Sequence, residues 1–213
     1  EMSSFQLDNI TNLKPKISIL LNISSDHLDR YNGHIDAYIA SKLRITSNQG
    51  SDDFLIYNHD DKNFKKINTK AKKIPLSLNQ EIKGDAAYYS NNKININLNN
   101  RTMTIEKLAL KGTHNIFNSM AAAMAARVFE ISDDIIRQSL IDFENIEHRL
   151  EYVITVHGID FINDSKATNV NSAWYAVESM NKPFVWILGG VDKGNDYTEL
   201  IKVASQKKVK AII

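Results

Sequence analysis

KISILLNISSDH, residues 16–27, carries the pattern that decides the fold. Residues 16–23 form an apolar run of strand length that opens on Lys16 and is broken by Ser18 and Asn22, and the run ends in the polar loop Ser24-Ser25-Asp26-His27. A short apolar run closed by polar residues reads as a buried strand. Residues 35–45 follow with helical spacing, Ile35, Tyr38, Ile39 and Leu43 sharing a face around Lys42 and Arg44. Two more strand-length runs stand at 54–57 and 74–78. Strand, helix and strand in alternation predict α/β architecture with a mostly parallel sheet.

The pattern changes between residues 86 and 110. Lys93-Ile94-Asn95-Ile96-Asn97-Leu98 alternates with period two and runs into Asn99-Asn100. This predicts a half-exposed antiparallel hairpin turned at the asparagine pair. Residues 115–129 then predict a helix, with Ile116, Met120, Met124 and Val128 every four residues and alanines on the remaining face. Ser132 is the expected N-cap of a further helix over 133–143, with two aspartates in its first turn. Residues 144–150 (ENIEHRL) read as a linker. Beyond it come a hairpin turned at His157-Gly158, a helix over 169–180, a buried strand over 184–188 and a helix over 197–204. The expected division is therefore a first domain over 1–145 and a second, incomplete α/β domain over 146–213. The chain opens at Glu1 inside a dense polar motif and closes on VKAII, so it is read as a piece of a longer protein.

Composition narrows the function classes. Hydrophobic residues are 43% and charged residues 24% of 213, ordinary values for a chain that buries a core. Lysine and arginine number 26 against 25 acids. A net charge of +1 offers no electrostatic reason to expect nucleic acid or an anionic membrane as partner. No apolar run has the length of a membrane span. Absence of cysteine excludes disulfides and thiolate metal sites. With no signal peptide in view, a cytoplasmic protein is expected.

Four constellations carry chemistry. Asp26-His27-x-Asp29 places oxygen and imidazole groups just after a buried strand, and ligands gather at that end of the strands in open α/β sheets. Spacing alone favours a solvated loop whose histidine caps the next helix, and Lys42 by itself passes as a surface lysine. Lys111-Gly112-x-His114-Asn115-x-x-Asn118 opens the alanine-rich helix, where free N–H groups and the dipole face any bound anion. A plain N-cap explains it equally. His148-Arg149 precedes Asn163-Asp164-Ser165-Lys166-Ala167-Thr168-Asn169, and Arg149 could be a simple hinge residue. Leu188-Gly189-Gly190-Val191-Asp192-Lys193-Gly194 is a glycine-rich loop without the Gly-Lys-Ser/Thr of a P-loop.

Taken together, EMSSFQL (1–7), LNISSDHLDRY (21–31), SKLRI (41–45), GTHNIFN (112–118) and NDSKATN (163–169) resemble the Mur ligases, over essentially the whole chain. The resemblance implies a central ATP-binding α/β domain, a mostly parallel sheet with helices plus a small antiparallel sheet, followed by a truncated Rossmann-like domain. It further implies ATP and two Mg²⁺ ions as cofactors, Glu1 holding one and His27 the second, with a carbamylated Lys42 helping to place the metal. Asn118 is implied to contact adenine, Arg149 the phosphates and Asp164 the ribose. Lys166 is assigned to the nucleotide and, with Lys42, His27 and Arg149, to catalysis. Ser4, Thr168 and Lys193 are assigned to substrate, Lys193 to a D-glutamate carboxylate.

NDSKATN also sorts within the family. Sibling Mur ligases and folylpolyglutamate synthases usually carry Ala-His and then proline after the aspartate, whereas Lys166 and Thr168 stand here. This pattern resembles the member that joins D-glutamate to UDP-N-acetylmuramoyl-L-alanine. The alternatives are a ligase of the same superfamily for another amino acid, or a silent binding module of the same fold.

Overall fold

The computed structural model describes every residue except 25, 26, 111, 145 and 192–194. The chain divides into two compact units. One comprises Glu1–Ile23 with His34–Phe143, and the other Ser24–Gly33 with Glu144–Ile213. The second unit thus begins at the start of the expected linker and also takes in Ser24–Gly33.

The first unit is built on one six-stranded sheet whose spatial order follows the chain. Its strands are β1 (Ile17–Leu20), β2 (Phe54–Asn58), β3 (Lys72–Ser77), β4 (Ala86–Ser90), β5 (Lys93–Leu98) and β6 (Arg101–Ile105). β1 to β4 pair in parallel and β4 to β6 antiparallel. The antiparallel part therefore continues the parallel sheet through β4, which joins β3 over Leu76–Ala87 and Ser77–Tyr88 only. Period two works as the sequence predicts: Ile94, Ile96 and Leu98 are buried while Lys93, Asn95 and Asn97 face outward. Asn99 and Asn100 take left-handed φ values of 52° and 60°, which asparagine tolerates better than most residues.

Helix α1 (Ser4–Asp8) precedes β1, α2 (Ile35–Leu43) follows it, and α3 (Thr113–Val128) and α4 (Asp133–Ile141) close the unit. Met120 and Met124 of α3 pack fully buried with Ile56, Ile74, Leu76, Ile94 and Ile96. Burying each such side chain stabilises the fold by about 1.5–3 kcal/mol. Alanines 121 and 123 share that cluster. Their small side chains let the helix approach the sheet closely. α4 is shorter than expected, and Ser132 sits at its N-cap position without a side-chain cap bond. Asp133 instead pairs with the buried Arg127, which ties α3 to α4.

The second unit holds the hairpin β7 (Glu151–Val156) and β8 (Ile159–Asn163), helix α5 (Val170–Ser179), strand β9 (Phe184–Trp186), helix α6 (Thr198–Gln206) and strand β10 (Val209–Ile212). β9 and β10 pair in parallel. Val177 of α5 and Leu200 and Val203 of α6 form its buried cluster, with Trp174, Phe184 and Trp186 against it. Asn169 caps α5, its Oδ1 accepting the Ser172 N–H at 2.9 Å. No helix of the described residues is long and apolar enough to cross a membrane.

Candidate active site

In the first unit, α2 brings Lys42 to the segment that leads from Glu1. Lys42 Nζ donates to the Met2 carbonyl at 3.3 Å and lies 5.9 Å from the centre of the Tyr38 ring. Ser41 Oγ donates to the Ser4 carbonyl at 2.8 Å. Glu1 is exposed next to this contact. Ser4 is buried, and its hydroxyl oxygen has no partner among the described residues.

The chain leaves β1 after Leu20 and is then held by side chains instead of by the sheet. Asp61 accepts the Ile23 N–H at 3.1 Å, and Asn63 Nδ2 donates to the Ile23 carbonyl at 3.4 Å. Four residues further on stands His27, in the second unit, with a left-handed φ of 53°. A non-glycine residue in that region is uncommon, and such residues cluster at functional sites. It opens a 3-10 turn over Leu28–Tyr31, in which Arg30 N donates to the His27 carbonyl. Asp26, its expected companion, lies outside the described residues.

α3 begins at Gly112, whose φ of 100° and ψ of 150° suit glycine. A Cβ there would also stand 3.2 Å from His114 Cε1. A cavity of about 220 Å³ opens at this point, lined by Tyr89, Asn92, Ile105, Glu106, Gly112 and Ile116 among others. Asn118 is exposed on the next turn and does not line it. Lys111 lies outside the described residues.

In the second unit, the turn bearing Arg149 is tied to the NDSKATN loop. Asp164 Oδ1 accepts the Leu150 N–H at 3.0 Å, and Lys166 N donates to the His148 carbonyl at 3.0 Å. Asn163 Nδ2 meets His148 Nδ1 at 2.7 Å, and Glu151 accepts the His148 N–H at 2.7 Å. Arg149 stands exposed between His148 and Leu150, both left-handed with φ of 66° and 45°. For leucine this conformation costs about 1–3 kcal/mol, so the surrounding bonds must impose it. The loop thus gathers Arg149, Asp164 and Lys166, with Thr168 two residues beyond. Lys193 lies outside the described residues.

No cluster of three or more histidine or acidic side chains that could hold a metal forms among the described residues. The donor types still suit Mg²⁺, which keeps several waters and takes one or two carboxylates plus substrate phosphates in preference to a protein cage. Glu1 offers one carboxylate. Lys42 as an ammonium group cannot ligate and fits only after carbamylation supplies two oxygens.

A model of the Mur ligase middle domain matches residues 1–126, more than half of the chain. The chain belongs to the Mur ligase family. Among curated relatives of this Mur ligase chain, the UDP-N-acetylmuramoylalanine–D-glutamate ligase of Christiangramia forsetii is 48% identical over the whole chain and 49% of its own length. The protein of that name from Bacteroides fragilis is 48% identical over 97% of the chain and 48% of its own length. The one from Salinibacter ruber is 43% identical over the whole chain and 48% of its own length. The chain therefore spans about half the length of the curated relatives it matches. Among solved structures, MurF of Acinetobacter baumannii superposes with a TM-score of 0.70 at 18% identity, over 93% of this chain and 46% of that one. The MurF ligase of Thermotoga maritima in complex with ADP gives 0.67 at 15% identity, over 94% and 52%. These two likenesses establish the Mur ligase fold.

Sequence reasoning took in Ser41 and Arg44 only as part of SKLRI, and Asp61 and Asn63 not at all, because a polar side chain on a helix or in a turn has the same appearance with or without a distant carbonyl to hold.

Proposed function

We propose that this chain is the catalytic middle of an ATP-dependent ligase that joins D-glutamate to UDP-N-acetylmuramoyl-L-alanine in peptidoglycan precursor synthesis, in the cytoplasm. The observation that carries the reading is the NDSKATN loop, tied by Asp164 and Lys166 to the turn of Arg149, in a chain 48% identical to ligases named for that reaction. In this reading, residues 1–145 belong to the central ATP-binding domain and residues 146–213 to the C-terminal domain.

The reaction is amide formation through an acyl phosphate. The alanyl carboxylate attacks the γ-phosphorus of ATP and ADP leaves. The D-glutamate amine then attacks the acyl carbon, and inorganic phosphate departs as the amide forms and the amine loses its proton. Positioning and charge neutralisation supply most of the catalysis in such chemistry. Bound Mg²⁺ would neutralise phosphate charge, one ion held by Glu1 and a second by His27, with a carbamylated Lys42 helping to place the metal. Arg149 would neutralise the transferring phosphoryl group, with Lys166 beside it. Asp164 would meet the ribose and Asn118 the adenine. Lys193 would hold a D-glutamate carboxylate, with Thr168 and Ser4 completing the substrate contacts.

The test is ligation by the full-length protein that carries this sequence, given ATP, Mg²⁺, UDP-N-acetylmuramoyl-L-alanine and a panel of amino acids. D-glutamate alone should be incorporated. Incorporation of L-lysine or diaminopimelate in its place would overturn the assignment.

A further inference from the structure

Three side chains from one short stretch of chain grip the backbone that leads away from Glu1. Ser41 Oγ holds the Ser4 carbonyl, at the start of α1, at 2.8 Å. Lys42 Nζ reaches the Met2 carbonyl at 3.3 Å. Arg44 closes the other end of α1, Nε donating to the Leu7 carbonyl at 2.9 Å and Nη2 to the Ile10 carbonyl at 3.1 Å. The Leu7 carbonyl also accepts the Ile10 N–H at 3.3 Å, so Arg44 adds a long-range hold at the end of the helix. A guanidinium offers donors in a rigid fork, so one side chain fixes two carbonyls in a single geometry. α1 is thereby pinned at both ends by the residues flanking Lys42.

The Ser41–Ser4 contact lies between residues 3% and 1% exposed. A buried polar contact adds little net stability over a well-packed apolar pair. What it does add is a defined geometry, because each group is costly to leave unpaired. The pins therefore set where the Glu1 segment sits relative to Lys42.

We propose that Ser41 and Arg44 are positioning residues for the metal site, locking the Glu1 segment against α2 so that Glu1 and a carbamylated Lys42 hold fixed places. The proposal rests on the metal reading of Glu1 and Lys42 given above. Neither Ser41 nor Arg44 touches metal or substrate in this scheme. Each acts through the backbone it holds.

The experiment uses the full-length protein with Ser41→Ala and Arg44→Lys made separately. Arg44→Lys keeps the charge and gives up the fork. Mn²⁺ is the probe metal, titrated in the presence of ADP and followed by water-proton relaxation, which needs no turnover. Amide hydrogen exchange is recorded on the same proteins, with melting temperature as the stability control. Loss of an outer partner of a metal ligand typically costs roughly tenfold to hundredfold in metal affinity, and each variant should weaken Mn²⁺ binding within that range. Exchange should quicken over residues 1–10 and stay unchanged in β2 and β3. ADP affinity without metal should also stay unchanged. A lowered melting temperature with unaltered Mn²⁺ affinity would make the pins a structural brace only and overturn the proposal. Failure of the unsubstituted protein to bind Mn²⁺ with ADP would overturn the metal reading, and the proposal with it.

Discussion

Asp164→Ala should loosen the turn that presents Arg149. The Asp164 carboxylate accepts the Leu150 N–H at 3.0 Å across fourteen residues of chain. A hydrogen bond to a charged group contributes about 1.5–3 kcal/mol, and the half-exposed position of Asp164 puts this one at the low end. Leu150 is also held at a φ of 45°, a conformation with an intrinsic cost of about 1–3 kcal/mol that the bond helps to impose. Without the carboxylate the turn has reason to relax. A loss of about 1.5 kcal/mol corresponds to roughly tenfold in the local opening equilibrium. The amide of Leu150 should therefore exchange with deuterium about ten times faster in Asp164→Ala. Asp164→Asn keeps an acceptor oxygen and should stay near the unsubstituted rate. That pair of variants separates the loop-holding role of Asp164 from any contact with ribose, which only nucleotide affinity reads. Equal Leu150 exchange in the alanine variant and the parent would refute this account of the turn.

Further outcomes concern other parts of the chain. Lys42→Ala in the full-length protein should nearly abolish ligation, and added short carboxylates should restore part of it. Near-normal turnover of that variant would remove Lys42 from the metal site. The Gly50 N–H bond, with Lys14 and Lys16 behind it, holds the Asp53 carboxyl below its ordinary value of 3.8. Its stabilising effect is complete above that value and is lost as pH falls through the lower folded one. Acid unfolding curves of Asp53→Asn should lack this part of the pH dependence, and curves of identical shape would contradict it. Leu55 is fully buried in β2, so Leu55→Ala should cost about 2–5 kcal/mol in urea unfolding with the slope unchanged. Residues 1–213 alone contain no G-x-x-x-x-G-K-[ST] segment to cradle phosphates, so they should release no phosphate from ATP.

The legible part of the fold was the part with strong periodicity. KISILLNI became β1, KININL became the outward-alternating β5, and the methionine stripe became the buried face of α3. Ends were less legible, since packing and not propensity sets them. β3 starts at Lys72, two residues before its first apolar side chain, because Lys72 and Lys73 pair with Phe54 and Leu55 of β2. β9 stops at Trp186 although the apolar run continues to Leu188. The place of β4 was hidden for another reason: it pairs in parallel on one side and antiparallel on the other. Strand sequence records burial, not partner direction.

At the candidate site, spacing alone left His27, Lys42 and Arg149 with plain structural readings; the resemblance singled out Glu1, His27, Lys42, Arg149, Asp164 and Lys166 and implied roles for them. The left-handed backbone at His27, His148 and Leu150 carried no glycine to announce it. Nor could spacing show that Ser41 and Arg44 hold α1, since their acceptors are carbonyls more than thirty residues away.

The account is tested most directly by grafting residues 1–213 in place of the matching half of the Bacteroides fragilis relative. The graft lets this chain supply Glu1, His27, Lys42, Asn118, Arg149, Asp164 and Lys193 to an otherwise intact ligase. With ATP, Mg²⁺ and UDP-N-acetylmuramoyl-L-alanine present, phosphate release by the folded chimera should depend on added D-glutamate, with one amide formed per phosphate. A folded chimera that binds the precursor and ATP but forms no D-glutamyl product would contradict it.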